Sequence, residues 1–283
     1  MVNQLKLTLI IFGAFLALSC TFDGNTHMEK YEWRPTESAK AEYPMEILSG
    51  DVFYAGGGSI YIPDKRTVEN GWGEIGSTHI SGEDLKGVPT AFQIAWFSYI
   101  EDKFYAGKFE LPSEKIRGLF EEGVIFHATD QRESYDTLVV GMGLQGEVAV
   151  WLSGAGVVTE VALYKAEEAS LPWTDVLDNE DISRQEYIQM VLDESMTEQQ
   201  LALSMERVQL PHYWARFKDV YNTTILVSGT SKPQRAFLKS LNGEHEYLNL
   251  STADDAYPRV RSAPQKMTVI TDMSNGDTYE YKI

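Results

Sequence analysis

Residues 92–111, FQIAWFSYIEDKFYAGKFEL, and residues 135–165, YDTLVVGMGLQGEVAVWLSGAGVVTEVALYK, decide the fold of this chain. The first stretch reads as two aromatic strands facing each other across a Glu101-Asp102-Lys103 turn. From Phe92 to Ile100 both strand faces are apolar. Phe92, Ile94, Trp96 and Ile100 lie on one, and Ala95, Phe97 and Tyr99 on the other. That is the pattern of a central strand covered on both sides, and it predicts Trp96 as core. Pro112 and Ser113 then open a helix. Ile116, Leu119 and Phe120 form its i, i+3, i+4 stripe, and Gly123 supplies the stop. The second stretch reads as further strands joined near Leu144-Gln145-Gly146, so the centre of the chain is a sheet with one helix on it.

Toward the N-terminus, Met45, Ile47 and Val52 to Tyr54 read as short strands broken by Ser49-Gly50-Asp51 and closed by Gly56-Gly57-Gly58. Ile60 to Ile62 reads as another, followed by the glycine-dense run Asn70 to His79. Toward the C-terminus, Glu167 to Asp181 is acidic and irregular. Ser183 with Glu186, and Thr197 with Gln200, have capping-box spacing. They predict helices over Arg184–Glu194 and Glu198–Val208 with Tyr187, Ile188, Val191, Leu192, Leu201 and Met205 as the apolar positions. Strands are predicted over Tyr221–Val227, Ala236–Leu241, Glu246–Leu250, Met267–Thr271 and Thr278–Tyr281. Asn242-Gly243 and Asn275-Gly276 are the hairpin turns. The expected fold is α+β and β-dominated, with antiparallel, sandwich-like sheets and a few short covering helices.

The chain has 283 residues, 24 basic and 42 acidic, for a formal net charge of -18. Such a balance argues against non-specific nucleic-acid binding, which needs cations to neutralise phosphates, and it steers a basic partner toward the surface. Leu9 to Leu18 is an uncharged apolar run, too short for a stable bilayer span. It ends in Ser19-Cys20, which resembles the lipobox of bacterial lipoproteins, with Ala17 standing where a branched apolar residue is commoner. The resemblance implies that Cys20 is acylated and becomes the first mature residue, anchored in membrane lipid by its acyl chains. Thr21, a residue other than Asp, implies by the same resemblance an outer-membrane address, on the periplasmic side or the cell surface. Cys20 is the one cysteine, so disulfides and Cys-based zinc sites are excluded. The expected organisation is a signal over 1–19, a tether over 20–40 and a single β-rich domain over 41–283. A division of that domain into subdomains 41–170 and 205–283, joined by a helical segment 181–208, is the alternative organisation.

Tyr43-Pro44-Met45-Glu46, Gly71-Trp72-Gly73, Trp96-Phe97-Ser98-Tyr99 with Phe104-Tyr105, Tyr135-Asp136 and Val150-Trp151-Leu152 follow the lipoprotein signal. Together these resemble the bacterial lipoproteins grouped as domain of unknown function 2931. The likeness covers most of the mature chain, strongest from Tyr43 to Tyr164. Its motifs are structural, so it implies an address and a fold and brings no reaction.

Chemistry-bearing motifs are sparse. His27, His79, His127, His212 and His245 have no partner at metal-ligand spacing, and His79, near Glu74 in the glycine-dense run, is the best-placed of them. No G-x-S-x-G or S-x-x-K occurs. Asp175, Asp178, Asn179, Glu180 and Asp181 are rich in oxygen but lack the EF-hand glycine, and acids ahead of a helix also suit its dipole. Arg259 and Arg261 share a strand face and are expected to pair with acids of the chain itself. Trp72 and Trp173 lie in loops, outside strand periodicity, and with His79 they are the candidate partner contacts. No catalytic residue, metal site or cofactor is predicted. The expected function is non-enzymatic recognition of a protein partner in the envelope, with immunity against a periplasm-delivered toxin as its sharper form. A glycan- or peptidoglycan-binding module, or an envelope hydrolase with a site assembled from distant residues, are the alternatives.

Overall fold

The computed structural model describes residues 29–78, 82–127, 129–210, 218–225, 232–250, 259–272 and 278–282. Cys20, His79 and Asn275-Gly276 lie outside them.

The main strands are β1 (Arg34–Ala39), β2 (Met45–Tyr54), β3 (Pro89–Ser98), β4 (Lys103–Glu110), β5 (Thr137–Met142), β6 (Glu147–Gly154), β7 (Val157–Lys165), β8 (Lys232–Ser240), β9 (His245–Asn249), β10 (Pro264–Asp272) and β11 (Thr278–Lys282). Helix α1 is Ser113–Glu122, α2 Arg184–Ser195 and α3 Glu198–Val208. One eight-stranded sheet runs β1-β5-β6-β7-β9-β8-β10-β11, antiparallel except for the parallel β1–β5 pair. A six-stranded sheet carries Glu167–Ala169, β4, β3, β2 and Ser59–Tyr61 in that order, with Thr67–Val68 also on β2. Both sheets feed one core, in which Phe92, Trp96 and Ile47 of the smaller sheet join Leu138, Val150 and Trp151 of the larger. Tyr164 of β7 bridges them, its ring 5.5 Å from Phe92 and 4.9 Å from Phe109.

The aromatic hairpin forms as its sequence predicts. Trp96 pairs with Tyr105 and Phe97 with Phe104 across a turn in which Asp102 adopts a positive φ of 52°. Trp96 is fully buried. Gly123 ends α1 at φ 64°, its N–H bonding to Leu119 O, while Ile116 and Phe120 are buried. Both capping boxes are present on α2 and α3. Asn242-Gly243 turns β8 into β9, with Gly243 at φ 89°. β9 pairs with β7, so the C-terminal strands continue the large sheet.

Two expectations need correction. Ser49-Gly50-Asp51 does not break a strand. Met45–Tyr54 is continuous, and the irregularity is a register shift between Ile47 and Ser49, a bulge that bends the strand without ending it. Gly50 keeps the packing there close, since a Cβ would meet the Ile62 side chain at 3.1 Å. The folded region also begins earlier than residue 41. Trp33 is buried, its indole N–H donating to Gly87 O at 3.0 Å, and Arg34–Ala39 is an edge strand of the large sheet. The polarity of Thr36-Glu37-Ser38 reads as tether, but these side chains bind the glycine-dense loop. Thr36 Oγ1 donates to Ser77 O at 2.9 Å, and Ser38 Oγ donates to Gly71 O at 2.7 Å. Gly73 N–H donates to Ser38 Oγ at 3.0 Å, and Ser77 N–H to Glu37 Oε1 at 2.8 Å. Buried polar side chains need such partners, and here the loop backbone provides them.

Candidate functional site

That same loop removes Trp72 from the candidate contacts. Trp72 is buried at 7% exposure, edge-on to Trp151 with ring centres 4.9 Å apart. Gly73, at φ 76°, lets the loop press on the β8–β9 turn, where a Cβ would strike Gly243 O at 2.3 Å. A tryptophan between glycines looks like an exposed loop ring, but the glycines are there so that backbone can close over it. Glu74 emerges beside it and pairs with Lys239 at 2.5 Å, with His245 Nε2 3.7 Å away.

Trp173 is half-buried and packs between the aromatic hairpin and α2. Its ring stands edge-on to Phe97 at 5.3 Å and 6.0 Å from Tyr187. The guanidinium of Arg184, first residue of α2, lies 5.0 Å from the Trp173 ring and 5.3 Å from the rings of Phe97 and Phe104. Asp102, in the hairpin turn, accepts from Arg184 Nε at 2.7 Å. A cation held over ring faces and paired with a carboxylate is well compensated, so this cluster fixes α2 on the smaller sheet. Ser183 caps the helix. Its Oγ and N–H both donate to Glu186 Oε2, at 2.7 and 2.9 Å, and these bonds hold the Glu186 carboxyl below the usual range.

What α2 and α3 then present is acidic and partly apolar. Val191, Leu192, Met196 and Ser204 are buried against the body. Met190, Leu203, Met205 and Leu210 are exposed. Met190 lies one turn from both Glu186 and Glu194, Leu203 lies one turn from Glu206, and Leu210 follows just past the end of α3. Asp175, Asp178, Glu180 and Asp181 sit at the entrance to α2, all exposed. Met205 was expected on the core side. The buried position of α3 is instead the small Ser204, whose Oγ approaches Met196 Sδ at 3.8 Å, so the helix turns Met205 outward. A small polar residue gives hydropathy patterns no signal of burial, and so the sequence did not reveal this face.

Beneath α2 lies a buried carboxyl. Tyr99 donates a short hydrogen bond to Glu46, and Tyr187 of α2 is 6.3 Å from the Tyr99 ring. Burial raises the Glu46 carboxyl above its ordinary 4.5, outweighing the Tyr99 bond, which lowers it. The folded value exceeds the unfolded one, so this group's contribution is fully present below the unfolded pKa and is lost as pH rises through the folded one. Glu46→Gln removes that loss. Denaturation midpoints are expected to show the variant gaining on the wild type between about pH 4 and pH 7, and a constant difference across that range would contradict the assignment.

Among the described residues no three His, Cys, Asp or Glu gather as a metal site, and no helix is long and apolar enough to cross a membrane. Ser153 and His245 line one cleft, and His245 Nε2 has no hydrogen-bond partner there. Arg261 pairs with Glu246 at 3.0 Å, as expected of an internal ion pair.

No curated protein and no solved structure matches the chain. A family model described as protein of unknown function (DUF2931) matches residues 21–204, from ahead of β1 to inside α3, and the chain belongs to that family.

Proposed function

We propose that this protein is a lipid-anchored envelope lipoprotein that acts without catalysis, by binding a basic protein partner on the exposed face of α2 and α3. The observation that carries the reading is the composition of that face. Met190 on α2, Leu203 and Met205 on either side of the buried Ser204 of α3, and Leu210 just past that helix are exposed among Glu186, Asp193, Glu194, Glu198 and Glu206. Acidic residues around flexible apolar side chains suit a partner that is basic at the rim and apolar at the centre. The charges set the encounter rate, and the apolar anchors set the lifetime of the complex. Capture of a periplasm-delivered toxin needs both properties, and immunity is the sharper form of the proposal.

Membrane attachment is assigned to Cys20. Cys20→Ala is expected to move the protein from the membrane fraction to the soluble periplasmic fraction, or to leave it unprocessed. A variant that is processed and membrane-bound like the wild type would contradict the assignment.

The binding face is tested by photo-cross-linking in intact cells, with a photoreactive amino acid replacing Met190 or Met205 in the full-length chain. The same replacement of Tyr61, exposed at the edge of the smaller sheet, is the control. The expected result is one basic envelope protein cross-linked from both helix positions and not from position 61. No product, or the same products from all three positions, would overturn the proposal.

A further inference from the structure

The C-terminal strands build a second site, in which lysine and aromatic side chains share one sheet face. In register, Lys239 of β8 stands between His245 of β9 and Lys266 of β10, and Phe237 between Tyr247 and Thr268. Residues paired across strands, and those two apart along a strand, share one face of a sheet. The face therefore carries a basic row beside an aromatic one, in a chain of net charge -18. Phe237, Lys239, His245, Tyr247 and Lys266 line a cleft of about 470 Å³ on this face, together with the carboxylates of Glu74 and Asp136. The rings touch in series. Phe237 is 5.4 Å from His245 and 5.1 Å from Tyr247, and Tyr247 stacks on His127 at 4.7 Å. A second cleft of about 660 Å³ opens where Tyr247 meets His127 and Arg235.

The polar groups of the first cleft are unevenly satisfied. Lys239 is committed to Glu74. Lys266 is exposed and forms no ion pair among the described residues. His245 is buried at 7% exposure with Nε2 lacking a hydrogen-bond partner, and His127 Nε2 is likewise buried and without one. Burial holds both imidazoles below the usual histidine range and so favours their neutral forms. A buried polar atom without a partner is costly to keep, and sites that accept polar ligands are where that cost recurs. The strand β8 is paired on both sides, so its backbone groups are taken and an extended peptide cannot add to it as a strand. Recognition here runs through side chains. Ring faces offer a negative surface to the C–H groups of a sugar ring, neutral imidazoles exchange hydrogen bonds with hydroxyls, and an ammonium suits a carboxylate or phosphate.

We propose that this cleft binds an anionic saccharide, a sugar ring bearing a carboxylate or a phosphate, with Phe237 and Tyr247 as the stacking floor and Lys266 as the cation. The cleft shares no residue with the α2–α3 face; β8, β9 and β10 lie beyond residues 21–204, the part matched by the family, while Glu74, Asp136 and Ser153, which also line it, lie within that part. It therefore stands or falls separately from the protein-binding proposal.

The test is calorimetric titration of the full-length protein in non-ionic detergent at low salt. Trigalacturonate is the carboxylate probe, glucose 1-phosphate the phosphate probe and maltotriose the neutral control. At least one anionic probe is expected to bind saturably, and maltotriose more weakly. Which anion binds distinguishes a uronate-bearing from a phosphate-bearing source. Lys266→Glu changes an exposed residue and so preserves the fold, which a thermal melt checks. It is expected to weaken the bound anion about tenfold. The proposal is overturned if neither anion binds, if maltotriose binds equally well, or if a folded Lys266→Glu protein binds as the wild type does.

Discussion

Trp151→Ala is expected to destabilise the fold by about 3–5 kcal/mol, the range for deleting a large buried aromatic side chain. Trp151 is fully buried in β6 and holds three parts of the molecule together. Its ring packs on Trp72 of the glycine-dense loop, fills the space above Gly141 of β5, and donates its indole N–H to Asn242 O at 3.1 Å. The substitution removes the apolar contact and leaves the Asn242 carbonyl without that donor, and the two losses act in the same direction. The measurement is the urea midpoint at constant slope. Trp96→Ala, in the smaller sheet, is expected to fall in the same range because Trp96 is equally buried. A loss under about 1 kcal/mol at Trp151 would mean that the loop and the C-terminal hairpin are not tied together through this ring.

The parts of this fold that were legible in the sequence are those where side-chain pattern and turn chemistry agree. The hairpin from Phe92 to Glu110, the glycine stop after α1 and the capping boxes of α2 and α3 all have a local cause, so a local reading found them. The edge strand β1 has a cause at a distance. Thr36, Glu37 and Ser38 are buried because a loop more than thirty residues later supplies their hydrogen bonds, and polarity alone marks such a segment as solvated. Trp72 follows the same rule in reverse, since its burial depends on Gly73 meeting Gly243. The candidate sites were hidden for related reasons. The acidic face depends on Ser204 being the buried position of α3. The basic row depends on the register of β9, β8 and β10, which places Lys239 beside both His245 and Lys266.

The second large effect is kinetic. Reversing two charges, Glu194→Lys with Glu206→Lys, is expected to slow association with the partner cross-linked from Met190 and Met205 by on the order of tenfold or more at low salt. Both residues are exposed, and both lie in the C-terminal halves of their helices, where a cation suits the helix dipole better than an anion. Stability is therefore expected to hold or rise slightly, and slower association cannot be attributed to unfolding. Met190→Ala with Met205→Ala is expected to act on the other rate, speeding dissociation while leaving association near wild type.

The most direct test of the account is the salt dependence of the two rate constants for that complex, measured with the full-length protein between about 0.05 and 0.5 M sodium chloride, a range over which the screening length shrinks severalfold. The account requires the association rate to fall about tenfold or more across the range, while the dissociation rate changes by less than about threefold. An association rate indifferent to salt, with any loss of affinity carried by dissociation, would contradict the claim that the acidic α2–α3 face recruits the partner.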